Sequence, residues 1–124
     1  MNKNPLILVA DDEPIIARTL VEILESEGFR ALSVNDGAAA VRCAQQDPPD
    51  LVLCDVMMPA LNGIEAAKRI RELVPATKII LFSGQAEATG LMERAKTEGH
   101  NFHVLAKPLK PEILLETVKR LVDA

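Results

Sequence analysis

The sequence contains neither Trp nor Tyr and only three Phe among its 124 residues. Proteins that bind single strands or RNA loops stack bases on aromatic side chains, and too few are present here to build such a platform. A basic cluster is missing as well. The net charge is −4 and the Lys and Arg residues are scattered, which leaves no electrostatic footprint for DNA or an anionic membrane. Direct nucleic-acid binding and membrane partners are therefore not expected. No apolar run approaches the roughly 20 residues that cross a bilayer, and the start from Met1 to Pro5 is too short and polar for a secretory signal, so a cytoplasmic location is expected. Cysteine is sparse. Cys43 and Cys54 form no CxxC or metal-type spacing and read as buried free thiols acting as small hydrophobes. Repeats, low-complexity stretches and linkers are absent too, so residues 1–124 are expected to form one domain. Its 48% hydrophobic content is almost wholly aliphatic, enough for a proper core.

What is present is alternation. Short apolar runs exchange with stretches of helical period, the signature of βα units on a parallel sheet. Strands are predicted at Leu6 to Ala10, Ala31 to Val34, Leu51 to Cys54, Ile79 to Phe82 and Phe102 to Ala106. The first, third and fourth are continuously apolar, as central strands covered on both faces must be, whereas Ala31-Leu32-Ser33-Val34 is mixed and suits an edge. Pro14 fits the first turn of a helix with Ile16, Leu20, Ile23 and Leu24 facing inward, ending at Gly28. Asn35-Asp36-Gly37 opens a second helix carrying Ala38, Val41 and Ala44, stopped by Pro48-Pro49. A third follows Asn62-Gly63, with Ala67, Ile70 and Val74, and closes at Pro75. The fourth, about Glu87 to Glu98, carries Leu91, Met92 and Ala95. Pro111 starts a last helix with Leu114, Val118 and Leu121 inward.

Charged and hydroxyl side chains collect at the ends of the predicted strands. The first runs into Asp11-Asp12, the third into Asp55, the fourth into Ser83-Gly84 and the fifth into Lys107-Pro108. If the strands are parallel, these ends share the edge where open α/β sheets bind ligands. Three carboxylates and one ammonium would then meet in one pocket. Two like charges about 4 Å apart repel by roughly 4 kcal/mol at an effective dielectric of about 20, and a divalent cation is the natural remedy. Each feature alone has an ordinary explanation: Asp11-Asp12 ahead of Glu13-Pro14 reads equally as the start of a helix, Asp55 as a loop turn, and Lys107 as a solvated strand terminus. Their joint placement is what carries information.

The ordered set Asp11-Asp12, Asp55 with Met58-Pro59 and Asn62-Gly63, Ser83, and Lys107-Pro108 resembles the receiver domain of two-component response regulators, of the chemotaxis-type single-domain kind. The likeness spans essentially the whole chain. It implies a flavodoxin-like doubly wound (βα)5 sandwich with a five-stranded parallel sheet of order 2-1-3-4-5. It also implies a phosphorylatable aspartate at Asp55 and Mg²⁺ bound by Asp12 directly and Asp11 largely through water, with Asp55 and the backbone carbonyl of Met57 completing the protein ligands. Lys107 would pair with the phosphoryl group, and Ser83 would move toward it as a hydrogen-bond donor. The oxygen inventory suits magnesium better than a metal that prefers histidine or thiolate.

The implied function is a signalling switch that takes a phosphoryl group from a sensor histidine kinase or phosphotransfer protein and changes conformation to control an output protein or domain. It is not an enzyme with a separate substrate; it assists only its own phosphorylation and dephosphorylation. The family's output surface corresponds to about Glu87 to Val122, with Leu91, Phe102 and His103 as candidate contacts. Val104 stands where the family often has Tyr or Phe, and the chain between Gly99 and Lys107 is one residue longer than the common pattern. Phe102 shares a strand face with Val104 and reads as a core residue. His100 and His103 lack ligand-spaced partners and are assigned no chemistry. Met57, two residues after Asp55, offers no polar group to position water, so slow self-hydrolysis is expected.

Other classes fit less well. A dehalogenase-type phosphatase needs a second carboxylate at the place of Met57. An FMN carrier needs a hydroxyl- and glycine-rich phosphate cradle where this chain has acids. The remaining alternative is a receiver-fold interaction module that acts by binding without using phosphorylation.

Overall fold

The computed structural model describes residues 4–58, 61–84, 90, 93, 94, 96, 97, 99 and 102–123. Its elements are β1 (Leu6–Ala10), α1 (Pro14–Ser26), β2 (Arg30–Val34), α2 (Gly37–Gln46), β3 (Leu51–Asp55), α3 (Gly63–Leu73), β4 (Lys78–Ser83), β5 (His103–Ala106) and the C-terminal helix α4 (Pro111–Val122). All five strands are parallel in the order β2-β1-β3-β4-β5, the doubly wound flavodoxin-like topology implied by the resemblance. The helix expected over Glu87 to Glu98 lies largely outside the described residues, as do Leu91, Met92, Ala95 and His100.

Period-2 alternation divides the core into two layers. Leu8, Ala10, Val52, Cys54, Ile79 and Leu81 face one way and pack with Ala40, Ala44, Ile64, Ala67, Ile70 and Phe102. Ile7, Val9, Leu51, Leu53, Ile80 and Phe82 face the other way, against Ala17, Leu20, Leu24, Leu114 and Val118. Every residue of β1 and β3 is buried, because both faces are covered. β2 is mostly exposed and forms one edge, as its mixed composition predicts.

Two helix faces differ from the expected ones at one residue each. α1 buries Ala17, Leu20 and Leu24, leaving Ile16 partly exposed on the rim of the stripe. α2 buries Gly37, Ala40 and Ala44, while Ala38 points to solvent. α2 presents small residues to the sheet, and in α1 Ala17 rather than the larger Ile16 shares the buried face with Leu20 and Leu24, so a pattern built on the larger side chains misplaces the edge of each stripe.

The helix starts sit at the strand ends that matter. α2 is capped by Asp36, whose side chain accepts from the Ala39 amide at 2.7 Å, and α3 by Asn62, which accepts from the Glu65 amide at 3.0 Å. Such caps satisfy amides that lack helical partners. Pro14 and Pro111 open α1 and α4, where the missing N–H costs nothing. Gly28, at φ +92°, turns the chain out of α1 in a conformation only glycine adopts freely.

Candidate functional site

Strand register brings the acids together. Ala10 pairs with Cys54 across β1 and β3, so Asp11 emerges beside Asp55. The Asp11 amide continues the ladder by donating to the Val34 carbonyl at 3.1 Å. Asp55 and Ser83, expected just past their strands, are instead the last residues of β3 and β4. Ser83 pairs with Ala106, and the Lys107 amide donates to the Ser83 carbonyl at 3.1 Å, rooting Lys107 at the same edge.

The side chains then converge. One carboxylate oxygen each from Asp11, Asp12 and Asp55 lie within 4.8 Å of one another. Lys107 Nζ donates to Asp55 Oδ2 at 3.0 Å, and the Met57 amide donates to Asp55 Oδ1 at 3.1 Å. Asp11 Oδ1 accepts from the Glu13 amide at 2.9 Å. Asp11 and Asp55 are buried, and Asp12 is exposed at the mouth. Met57 is half-exposed beside them. The Ser83 hydroxyl donates to the neighbouring Gly84 carbonyl at 3.1 Å.

Electrostatics mark the pocket as short of positive charge. Burial pushes the Asp11 pKa up, reinforced by the charges of Asp55 and Asp12 and opposed by the Glu13 amide and Lys107. Asp11 Oδ2 is buried and has no hydrogen-bond partner among the described residues. A buried oxygen left unmatched is costly, and this one belongs to a cluster of hard oxygen donors of the kind that Mg²⁺ or Ca²⁺ takes. The residues present therefore fit a divalent cation. For Lys107, partial burial lowers the pKa, but the hydrogen bond and charge of Asp55 outweigh it, with Asp11 and Glu13 adding, so the net shift is upward.

The remaining expectations fall out simply. Cys43 and Cys54 are free thiols; burial raises the pKa of each, most strongly for the fully enclosed Cys54. Of the candidate partner contacts, His103 is exposed, whereas Phe102 is buried with the Arg71 guanidinium 5.4 Å from its ring centroid, and so belongs to the core. Val104 is exposed on β5. Three residues contribute in ways the sequence reading did not specify. Asn35, read only as a turn residue, donates from Nδ2 to the Asp11 carbonyl at 3.0 Å. Gly63 touches the backbone of Asp55, and the Phe82 ring lies under Lys107. The Asn35-Asp36-Gly37 and Asn62-Gly63 turns at the two helix starts are the nearest thing to a signal for the first two, and Phe82 has none.

A doubly wound sheet with an acid cluster and a lysine at its carboxyl edge defines a class, and comparison with known proteins agrees. The response regulator receiver domain model matches residues 7–119. The chain belongs to that family, whose members serve two-component signalling. It is 31% identical over 118 residues to the response regulator receiver protein CpdR of Brucella abortus, covering 95% of this chain and 97% of that protein. It is 40% identical over 86 residues to the autoinducer 1 sensor kinase/phosphatase LuxN of Vibrio harveyi, where the match covers 68% of this chain and spans 10% of LuxN. The solved structure of the chemotaxis protein CheY4 of Vibrio cholerae superposes with a TM-score of 0.85 at 27% identity, over 96% of this chain and 99% of that one. No helix among the described residues is long and apolar enough to cross a membrane.

Proposed function

We propose that residues 1–124 act as one receiver domain, a switch thrown by phosphorylation of Asp55. The observation that carries this reading is the Asp55 carboxylate, buried at a strand end, with Lys107 at 3.0 Å and two further carboxylates within 4.8 Å. Asp11 and Asp12 would hold Mg²⁺, with Asp55 and the backbone carbonyl of Met57 completing the protein ligands. Bound there, the ion offsets negative charge on the carboxylates and the incoming phosphoryl oxygens.

The chain's own groups do the rest. The Met57 amide and the Lys107 ammonium fix the plane of the Asp55 carboxylate, so that one oxygen can face the donor in line. As the new oxygen–phosphorus bond forms, the phosphorus–nitrogen bond of the donor's phosphohistidine breaks and the imidazole leaves. The donor is a sensor histidine kinase or a phosphotransfer protein. Lys107 is then drawn to the phosphoryl oxygens, and the Ser83 hydroxyl, now spent on Gly84, has a stronger acceptor to turn toward. Moving a conformational equilibrium from 1:99 to 99:1 takes about 5.5 kcal/mol, within reach of a few charge-assisted hydrogen bonds. The output is read by a downstream protein or domain on the surface that includes His103. No separate substrate is turned over, and the setting is cytoplasmic.

Incubation with Mg²⁺ and acetyl phosphate, followed by intact mass measurement, tests this. One phosphoryl adduct is expected, lost on Asp55→Asn. No adduct with any small phosphoryl donor or histidine kinase would leave only a binding module.

A further inference from the structure

Lys107 is held at both ends by a single dipeptide. Its amide donates to the Ser83 carbonyl at 3.1 Å, and its ammonium lies 5.5 Å from the ring centroid of the adjacent Phe82, inside the roughly 6 Å over which a cation is attracted to a ring face. Phe82 is almost completely buried and packs with Ala17, Leu20 and Leu114. Lys107, by contrast, has a side chain 37% exposed. A buried ring therefore lies against a partly solvated cation. Phe82 is also the register partner of Asp55 across β3 and β4, and its carbonyl accepts from the Val56 amide at 3.0 Å. The ring is thus tied to the same strand end as the carboxylate that Lys107 serves.

We propose that Phe82 is a positioning residue for the phosphorylation reaction, its ring face holding the Lys107 ammonium toward Asp55. An aliphatic side chain could fill the same volume in the core. It could not attract the ammonium, whose long stem has many competing rotamers and whose charge is strongly hydrated. The ring face is negative and its edge positive, so the attraction favours positions of the ammonium over the face as Lys107 passes from the carboxylate to a phosphoryl oxygen. This inference rests on the reading of Asp55 as phosphoacceptor.

Two measurements test it. In the metal-free protein, the ring current of Phe82 is expected to move the Lys107 ε-methylene proton resonances upfield, and Phe82→Leu to return them toward ordinary lysine positions. In the presence of Mg²⁺ and acetyl phosphate, Phe82→Leu is expected to slow phosphorylation roughly two- to fivefold, the range a cation–ring contact supplies. Replacing Phe82 by mono-, di- and trifluorinated phenylalanine drains the ring face while nearly preserving its shape. The rate should fall stepwise along that series, which a purely structural role would not produce. Unshifted Lys107 resonances in the wild type, or a flat rate across the series, overturns the proposal while leaving Asp55 phosphorylation intact. Wild-type protein that takes no phosphoryl group overturns the underlying reading and this inference with it.

Discussion

Gly63 stands so close to Asp55 that a Cβ added to it would collide with the Asp55 carbonyl oxygen and come within 2.8 Å of Val56 Cα. The Gly63 amide donates to the Val56 carbonyl at 2.8 Å. The first turn of α3 is therefore packed directly on the end of the strand that carries the central carboxylate, and the missing side chain is what permits it.

Gly63→Ala should displace that turn. Overpacking against backbone has no flexible side chain to yield, so a loss of ~3 kcal/mol, the upper end of the usual range, is expected. Chemical denaturation at neutral pH measures it, and a change within error would mean that α3 can slide outward freely.

Asp11→Asn should raise stability in the absence of divalent ions. Because burial raises the folded pKa of Asp11, its ionised form is disfavoured by folding; stability is highest with Asp11 protonated and is lost as pH rises from the ordinary carboxylate range through the raised folded value. The amide removes that penalty, giving a gain on the order of 1 kcal/mol at pH 7. The wild type should gain stability on adding Mg²⁺, by about 2.7 kcal/mol at a hundred times the dissociation constant, and the variant should gain far less. Thermal melts with and without MgCl₂ check both signs.

Lys107→Gln should cost about 1–2 kcal/mol, discounted from the loss typical of a broken buried ion pair because the lysine is partly solvated. The folded pKa of Lys107 is raised, so its contribution is fully present below the ordinary lysine pKa and disappears as pH rises through the folded value. The stability difference between wild type and variant should be flat near neutrality and close at strongly alkaline pH. A difference that persisted there would assign the effect to packing of the lysine stem.

Met57→Asn should shorten the life of the phosphorylated state. Met57 is half-exposed beside Asp55 and has no polar side-chain group for an attacking water. An amide that adds one hydrogen bond worth ~1.4 kcal/mol in the transition state would speed hydrolysis about tenfold. The decay of the adduct by intact mass gives the ratio, and equal lifetimes would show that water is positioned by other groups.

Much of this architecture could be read before any coordinates. Leu6 to Ala10 and Leu51 to Cys54 are uniformly apolar because both faces of a central strand are covered, and that is a local property of the chain. The acids and lysine at the strand ends were legible for the same reason, since each follows directly on a recognisable run. Ile16 misled because hydrophobicity alone does not say whether a residue faces the sheet or the rim, and Ala17, smaller, packs nearer to it. Phe82 read as core, which it is, but nothing in its neighbours along the chain announces a lysine 25 positions later lying across its ring.

The sequence alone determined the βα alternation, the boundaries of the described elements to within a residue or two, and which side chains stand at the carboxyl ends, because periodicity and turn chemistry act over a few residues. Tertiary structure decided the rest. Register between β1 and β3 brings Asp11 to Asp55, the crossing of the chain past β4 brings Lys107 to within 3.0 Å of Asp55, and the meeting of three carboxylates leaves one buried Asp11 oxygen unmatched among the described residues. These are distances between residues far apart in the chain, set by packing of layers, and no local pattern encodes them.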